Sequence, residues 1–484
     1  MRVLQVGAEI YPLVKTGGLG DVMAALPPAL ARSGLDVRLL LPAYPAVLAA
    51  FKPSRKVAAL GPAFGAAIMT IQFGALDDIN VPAYVIDAPA LYGREGHPYL
   101  GPDGHDWSDN ALRFGALGWV AAHLGSGDID RKWQPEIAHC HDWHAALACA
   151  YLGMNPAAPC RSVFTIHNLA FQGLFAADLL PALQLPTRLL TYDGIEFYGQ
   201  GSAMKAGIQY ADAITTVSPT YAHEIRTPEF GCGLEGALEH RADKLHGILN
   251  GVDGAVWNPA RDAHIDHHYE AGNLAGKSAA KAALQKELGL RIAPETLIVG
   301  VISRLTQQKG IDLLLSAAPD LIAEGVQFAL LGGGDASIEQ GLRTLAHERP
   351  ESFAARFGYD EPLAHRIIAG ADMIAVPSRF EPCGLTQLYG LRYGTLPLVR
   401  RVGGLADTVV YADDSALATG IATGFTFDPA DAEALSSATR RALALYRNRA
   451  LWRKVQQRAM AQNFSWDAAA AQYTDLFRQL IGNG

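Results

Sequence analysis

The chain has 484 residues, half of them hydrophobic and 18% charged, which is long enough for two or more domains and too apolar for a disordered protein. A formal net charge of -8, with no long block of one sign, gives no electrostatic support for a nucleic-acid partner. The five cysteines (Cys140, Cys149, Cys160, Cys232 and Cys383) are odd in number and form no CxxC pair, so they argue against a disulfide framework and for a reducing cytoplasm; no apolar run reaches membrane-spanning length.

RVLQVGA opens the chain as a buried strand and not a signal peptide, because Gln5 and Glu9 interrupt the apolar stretch. DVMAALPPALARSG follows as a helix stopped by Gly34, and VRLLLPAY as a second strand. EIAHC, SVFTIHN and AITTVS are further short strands, each bounded by turn residues and followed by a helix candidate. This alternation predicts a parallel sheet with helices on both faces. After the polar helix EGALEHRADKL and the strand-like HGILNGVD the pattern restarts, and the boundary is placed between those two segments. HIDHHYEAGNLAGKS is polar and reads as an exposed loop. TLIVGVIS is a strand, DLLLSAAPDLIAEG a helix, and VQFALLGGG, DMIAVPS and LPLVRRVG are strands. Two such series predict an α/β protein of two doubly wound domains. Ligands bind beyond the carboxyl ends of such strands, so the cleft between two facing sheets is the expected active site. In the final segment, FSWDAAAAQYTDLFRQLI, Ser465 is a candidate N-cap, and Tyr473, Leu476, Phe477 and Leu480 form a docking stripe.

Three segments at strand ends carry candidate chemistry. In VGAEIYPLVKTGGLGDV, Lys15 precedes a glycine turn between a strand and a helix, an arrangement that aims backbone N–H groups at an anion. A flexible loop with a solvated lysine is the alternative. The turn is neither G-x-G-x-x-G nor a Walker A loop, and no acidic residue ends the second strand, so a dinucleotide fingerprint is absent. ISRLTQQKG sets Arg304 directly after a strand and Lys309 five residues on; two cations there can neutralise a diphosphate without a metal, unless they are ordinary surface cations. PSRFEPCGLTQLYG sets Glu381 ahead of a helix start at Gly384, Leu385 and Thr386, where N–H groups can hold a phosphate and the carboxylate can accept sugar hydroxyls. Glu381 reads equally as a capping carboxylate, and Cys383 as a thiol that either reacts beside the helix start or packs.

HCHDWHAAL suggests zinc through Cys140, His141 and His144, but no partner cluster stands at zinc spacing, so no metal site is expected. Asp142 with Trp143 is suited to holding a sugar, and TIHN places His167 and Asn168 at the end of a neighbouring strand. Asp128-Ile129-Asp130 lies in a polar loop and reads as a turn, not as a metal-holding D-x-D pair.

KTGGLGDV, HDWHAAL, TIHNLAFQG, NGVD, SRLTQQKG and SRFEPCGLTQLYGLRYGT, in this order, resemble the family of bacterial glycogen synthases and plant starch synthases. The match runs from the first strand to the final helix. No transit peptide precedes the first strand, which makes the bacterial form the closer one. The resemblance implies a GT-B fold of two Rossmann-like domains: residues 1–243, joined by a C-terminal helix crossing back at 457–484, and a nucleotide-sugar domain at 244–456. It implies a retaining transfer of glucose from ADP-glucose to the non-reducing end of an α-1,4-glucan, with no metal or cofactor and no nucleic-acid or membrane partner. By that resemblance Lys15, Gly17 and Gly18 approach the donor, Arg304 and Lys309 neutralise its diphosphate, and Gly384, Leu385 and Thr386 meet the distal phosphate. Glu381 binds the glucose hydroxyls, with Cys383 beside it, and His167 contacts the sugar near the anomeric carbon. Asp21, Tyr92, Asp142, Trp143, Asn168 and Asn250 belong to the same cleft. In many related enzymes a second Glu, the eighth residue after the first, holds the ribose; here Tyr389 stands there, so ribose recognition differs. A dehydrogenase lacks its fingerprint here, a silent glucan-binding protein need not keep the cations, and a trehalose- or sucrose-forming transferase is the nearest alternative.

Overall fold

The computed structural model describes residues 1–155 and 159–482. It divides the chain into two units, Met1–Gly251 with Trp466–Gly484, and Val252–Ser465.

The first unit is built on a nine-stranded sheet. Its strands are β1 (Arg2–Val6), β2 (Asp36–Pro42), β3 (Phe51–Leu60), β4 (Met69–Leu76), β5 (Ile79–Asp87), β6 (Ile137–His141), β7 (Arg161–Ile166), β11 (Ala213–Thr216) and β12 (Leu245–Gly247), with the small strands β8 (Leu174–Phe175), β9 (Glu196–Phe197) and β10 (Gln200–Ser202) in a separate sheet. The order is β12-β11-β7-β6-β1-β2-β5-β4-β3. Seven strands run parallel, while β3 and β4 add an antiparallel extension. That extension has no counterpart in the sequence reading: β3 is largely exposed and contains Pro53, as an edge strand can, so it lacks the apolar run of a central strand. Chain order reverses direction on the two sides of β1, which makes the gap between the ends of β1 and β6 the switch point of this sheet.

The helix Gly18–Arg32 starts earlier than expected and carries Pro27 and Pro28 within it. The last helix, Trp466–Gly482, follows Ser465 directly and buries Tyr473, Leu476 and Phe477 in the core of the first unit, with Leu480 half-buried against it. Two expected boundaries move. β12 pairs with β11, so the HGILNGVD strand closes the first sheet and the division falls after Gly251, not after residue 243. The helix Arg449–Met460 packs Trp452 and Val455 in the second core, so the return to the first unit begins at Trp466, not at residue 457.

The second unit holds β13 (Ile298–Ile302), β14 (Gln327–Gly332), β15 (Phe353–Phe357), β16 (Met373–Val376), β17 (Leu396–Arg400) and β18 (Phe425–Phe427). All pairs are parallel, in the order β15-β14-β13-β16-β17-β18. This is the doubly wound order, with its switch point between β13 and β16. The polar segment at residues 264–278 is mostly exposed, as read, but Ile265, Tyr269 and Leu274 anchor it in an apolar cluster and a helix begins at Ala275.

Candidate active site

The switch point of the second sheet carries the better-formed site. A pocket of about 50 Å³ is lined by Ile302 and Ser303 from the end of β13, Lys309, Pro377 and Ser378 beyond β16, Glu381, and the Gly384-Leu385-Thr386 helix start. Glu381 is buried, and its Oε2 accepts hydrogen bonds from Lys309 Nζ at 2.6 Å and Ser378 Oγ at 2.9 Å. Arg304 is exposed at the end of β13, and among the described residues no carboxylate pairs with it.

Backbone and side chain together hold these two loops against each other. Gly310 has φ +67, and a Cβ there would lie 2.0 Å from the Pro377 carbonyl oxygen, so only glycine lets the Lys309 loop approach. Arg379 N–H donates to Gln308 O at 2.8 Å, and the Arg379 guanidinium forks onto both oxygens of Asp312 at 2.7 Å. Gly403, at φ +44, would bring a Cβ to 2.0 Å from Glu381 O. Ser378, Arg379 and Asp312 were not singled out from sequence, although SRFEP carries two of them beside Glu381.

Cys383 is buried and does not line the pocket, and its backbone carbonyl accepts from Gln387 Nε2. Tyr389, where a ribose-binding carboxylate was sought, stacks on Trp257 with ring centroids 3.8 Å apart, and His365 covers the other face of that indole at 3.7 Å.

In the first unit the switch point gathers a different set. The Thr16 and Gly17 N–H groups, expected to face an incoming anion, donate to Glu9 Oε2 at 2.7 and 3.4 Å. Glu9 Oε1 also accepts from Thr16 Oγ1 and Tyr99 OH, each at 2.6 Å. The glycine loop therefore already holds an internal carboxylate, and Glu9 is buried at 3% exposure. Lys15 pairs with Asp21 at 2.8 Å. Gly17 and Gly18 are exposed, and a Cβ on either would meet nothing within 4 Å, so a ligand can reach the start of the helix there. Tyr92, expected in the cleft, lies instead in the core with 0% exposure, and its OH donates to Arg113 O at 2.5 Å. The tyrosine beside the site is Tyr99, seven residues later in the same segment.

Asp142 opens the helix Asp142–Gly153 at the end of β6 with φ +59, a left-handed conformation that a non-glycine residue holds at a cost. Burial, with Glu9 nearby, pushes its carboxyl up to about 8. The protonated form is then the one the fold favours, so this contribution is complete below about pH 4 and is lost as pH rises through about 8. Asp142→Asn, which keeps the shape and tolerates the backbone, is expected to flatten the fall of Tm across that window; parallel melting profiles for the two proteins would contradict it.

Trp143 is half-buried among Phe114 at 5.0 Å, His144 at 4.0 Å and Tyr99 at 6.2 Å. His144 is buried and serves packing, with burial holding its ring neutral. His167 is half-buried, its Nε2 3.0 Å from His141 Nδ1, and burial lowers it to about 3. Asn168 Oδ1 accepts from Ala170 N–H, and Asn250 is buried. Asp130 of the D-x-D segment is an internal anchor, buried and bound by Arg55 and by Tyr84 OH at 2.7 Å.

The comparisons with known proteins cover both units. Residues 2–240 match the family model described as starch synthase catalytic domain, and residues 296–444 the one described as glycosyl transferases group 1. A glycogen synthase of Paramagnetospirillum magneticum is 50% identical, covering 100% of this chain and 98% of its own. One from Francisella tularensis subsp. novicida is 49% identical over 99% of each. Among solved structures, the catalytic domain of starch synthase IV from Arabidopsis thaliana, bound to ADP and acarbose, superposes with a TM-score of 0.87 at 33% identity over 99% of both chains. A sucrose-phosphate synthase from Thermosynechococcus elongatus, 20% identical with a TM-score of 0.61 over 100% of both chains, shares the fold. Full-length identity at this level, on two doubly wound sheets whose switch points carry the motifs, shows that the chain belongs to the glycogen and starch synthase family.

Proposed function

We propose that this chain transfers glucose from ADP-glucose to the non-reducing end of an α-1,4-glucan, releasing ADP, with Arg304 and Lys309 stabilising the departing diphosphate. The observation that carries this reading is the pocket at the β13–β16 switch point, where Lys309, Glu381 and the Gly384–Thr386 helix start converge. Breaking the anomeric bond leaves negative charge on the diphosphate; fixed cations aimed there lower the barrier with little reorganisation. Glu381, oriented by Lys309 and Ser378, accepts hydroxyls of the glucosyl group, and Leu385 and Thr386 offer N–H groups to the distal phosphate. The starch synthase IV structure bound to ADP supports an adenine nucleotide as the leaving group. In the first unit Lys15, Gly17, Gly18, Asp21, Asp142, Trp143, His167, Asn168 and Asn250 are the carried-over substrate residues, and Glu9 with Tyr99 joins them on geometry.

Retention of anomeric configuration follows from a front-face route, in which the departing phosphate takes the acceptor proton. Trapping a glycosyl-enzyme adduct would overturn that route. No helix among the described residues is long and apolar enough to cross a membrane, and the cysteine usage fits a cytoplasmic enzyme. The direct test is ADP release from ADP-glucose and from UDP-glucose, with and without glycogen. Glycogen-dependent turnover that prefers ADP-glucose is expected; equal turnover of both donors, or none with glycogen, would refute the assignment.

A further inference from the structure

Central strands of a sheet covered on both faces normally carry apolar side chains. Here a polar row crosses the middle of the first sheet. Register sets Gln5 of β1 opposite His139 of β6, His141 of β6 opposite Thr165 of β7, and Thr165 opposite Thr215 of β11. Side chains alternate along a strand, so all five lie on one face, and each is 0% exposed. Two hydrogen-bond branches run through them. His139 Nε2 meets Thr165 Oγ1 at 2.6 Å, and Thr165 Oγ1 meets Thr215 Oγ1 at 2.5 Å. Gln5 Oε1 meets His141 Nε2 at 2.7 Å, and His141 Nδ1 meets His167 Nε2 at 3.0 Å.

With the Gln5 amide oxygen facing His141, and the Gln5 Nε2 buried without a hydrogen-bond partner among the described residues, proton accounting along the second branch leaves one arrangement. An amide oxygen only accepts, so His141 Nε2 carries the hydrogen. Burial holds His141 neutral, and a neutral imidazole has one N–H, so His141 Nδ1 is an acceptor. His167 Nε2 must then donate to it. His167 is neutral as well, which leaves Nδ1 with a lone pair. We propose that Gln5 is a positioning residue that sets, through His141, the tautomer of His167, so that His167 presents an acceptor and not a donor at Nδ1. This rests on the reading that His167 meets the sugar, where an acceptor suits a donating hydroxyl. The reversed amide would invert every assignment in the branch, so the prediction has a definite sign.

Ring-nitrogen NMR of the full chain labelled with 15N-histidine tests it, the His167 signals being assigned by their loss in His167→Ala. The wild type should show His167 with hydrogen on Nε2. In Gln5→Leu, His141 loses its acceptor and His167 should become a mixture of tautomers. Turnover in that variant should fall about tenfold, the scale of one oriented hydrogen bond, with KM for ADP-glucose little changed. Hydrogen on Nδ1 in the wild type, or a His167 tautomer untouched by Gln5→Leu, would overturn the proposal. Should Gln5→Leu fail to fold, the wild-type spectrum alone decides. Undiminished turnover in His167→Ala would instead sink the sugar-contact reading and leave the tautomer assignment standing.

Discussion

Arg304→Ala is expected to lower kcat by about a hundredfold or more while leaving Tm unchanged. The catalytic loss follows from removing one of two cations aimed at the departing diphosphate, on the scale of a lost oxyanion-stabilising donor. The unchanged Tm follows from exposure: the guanidinium lies in solvent, and among the described residues it holds no carboxylate. Lys309→Ala should show a similar kcat loss with a different melting behaviour. Its ammonium is the partner of the buried Glu381, and removing one member of a buried pair costs roughly 3–5 kcal/mol because the other charge is left uncompensated. Ser378 still donates to that carboxylate, so the lower end of this range applies. Steady-state ADP release and thermal melts of both variants give the two readouts. Near-normal turnover in both would remove the leaving-group assignment.

Glu381→Ala should reduce kcat by roughly a hundredfold to a thousandfold with the fold intact. The asymmetry with its partner is the useful part. Lys309 keeps 18% side-chain exposure against 8% for Glu381, so an orphaned ammonium can turn toward water more readily than an orphaned carboxylate. Glu381→Ala should therefore melt at a higher temperature than Lys309→Ala. Combining the two should restore most of the Tm lost in Lys309→Ala while restoring none of the turnover, since the pair acts as a unit in stability and each member acts on substrate in catalysis. A double variant that melts as low as Lys309→Ala would show that the ion pair is not what that substitution breaks.

What could be read from sequence was the local part. Arg304, Lys309 and Glu381 lie just past the short apolar runs IVGVI and MIAV, and a parallel strand places whatever follows it at the ligand-binding edge. Four of the six strands of the second sheet were legible for the same reason, as short apolar runs buried on both faces, whereas β15, which contains Arg356 and is exposed toward its end, and the three-residue β18 were not. The parts that escaped depend on partners far apart in the chain. Glu9 looks like an interruption of an apolar stretch until Tyr99, ninety residues on, and the Thr16 N–H close around it. Gln5 looked equally anomalous, and only the register of β1 with β6 brings it to the histidines. LYGREGHPY contains two tyrosines, and nothing local says which turns inward; Arg113 decides it by taking the Tyr92 hydroxyl on its carbonyl. A glycine turn likewise announces free N–H groups without saying that a carboxylate of the same loop already takes two of them.

The discontinuity of the first unit has a consequence for biosynthesis. Tyr473 and Phe477 pack their rings at 5.0 and 5.6 Å from His139, the centre of the polar row, and they reside on a helix encoded after the entire second unit. While the ribosome is still translating residues 252–465, that face of the sheet lacks its cover, and its imidazoles and amide stand open to solvent. The first unit therefore begins to fold early and finishes last, and a nascent chain arrested before Trp466 would carry an apolar, partly wetted surface that chaperones recognise.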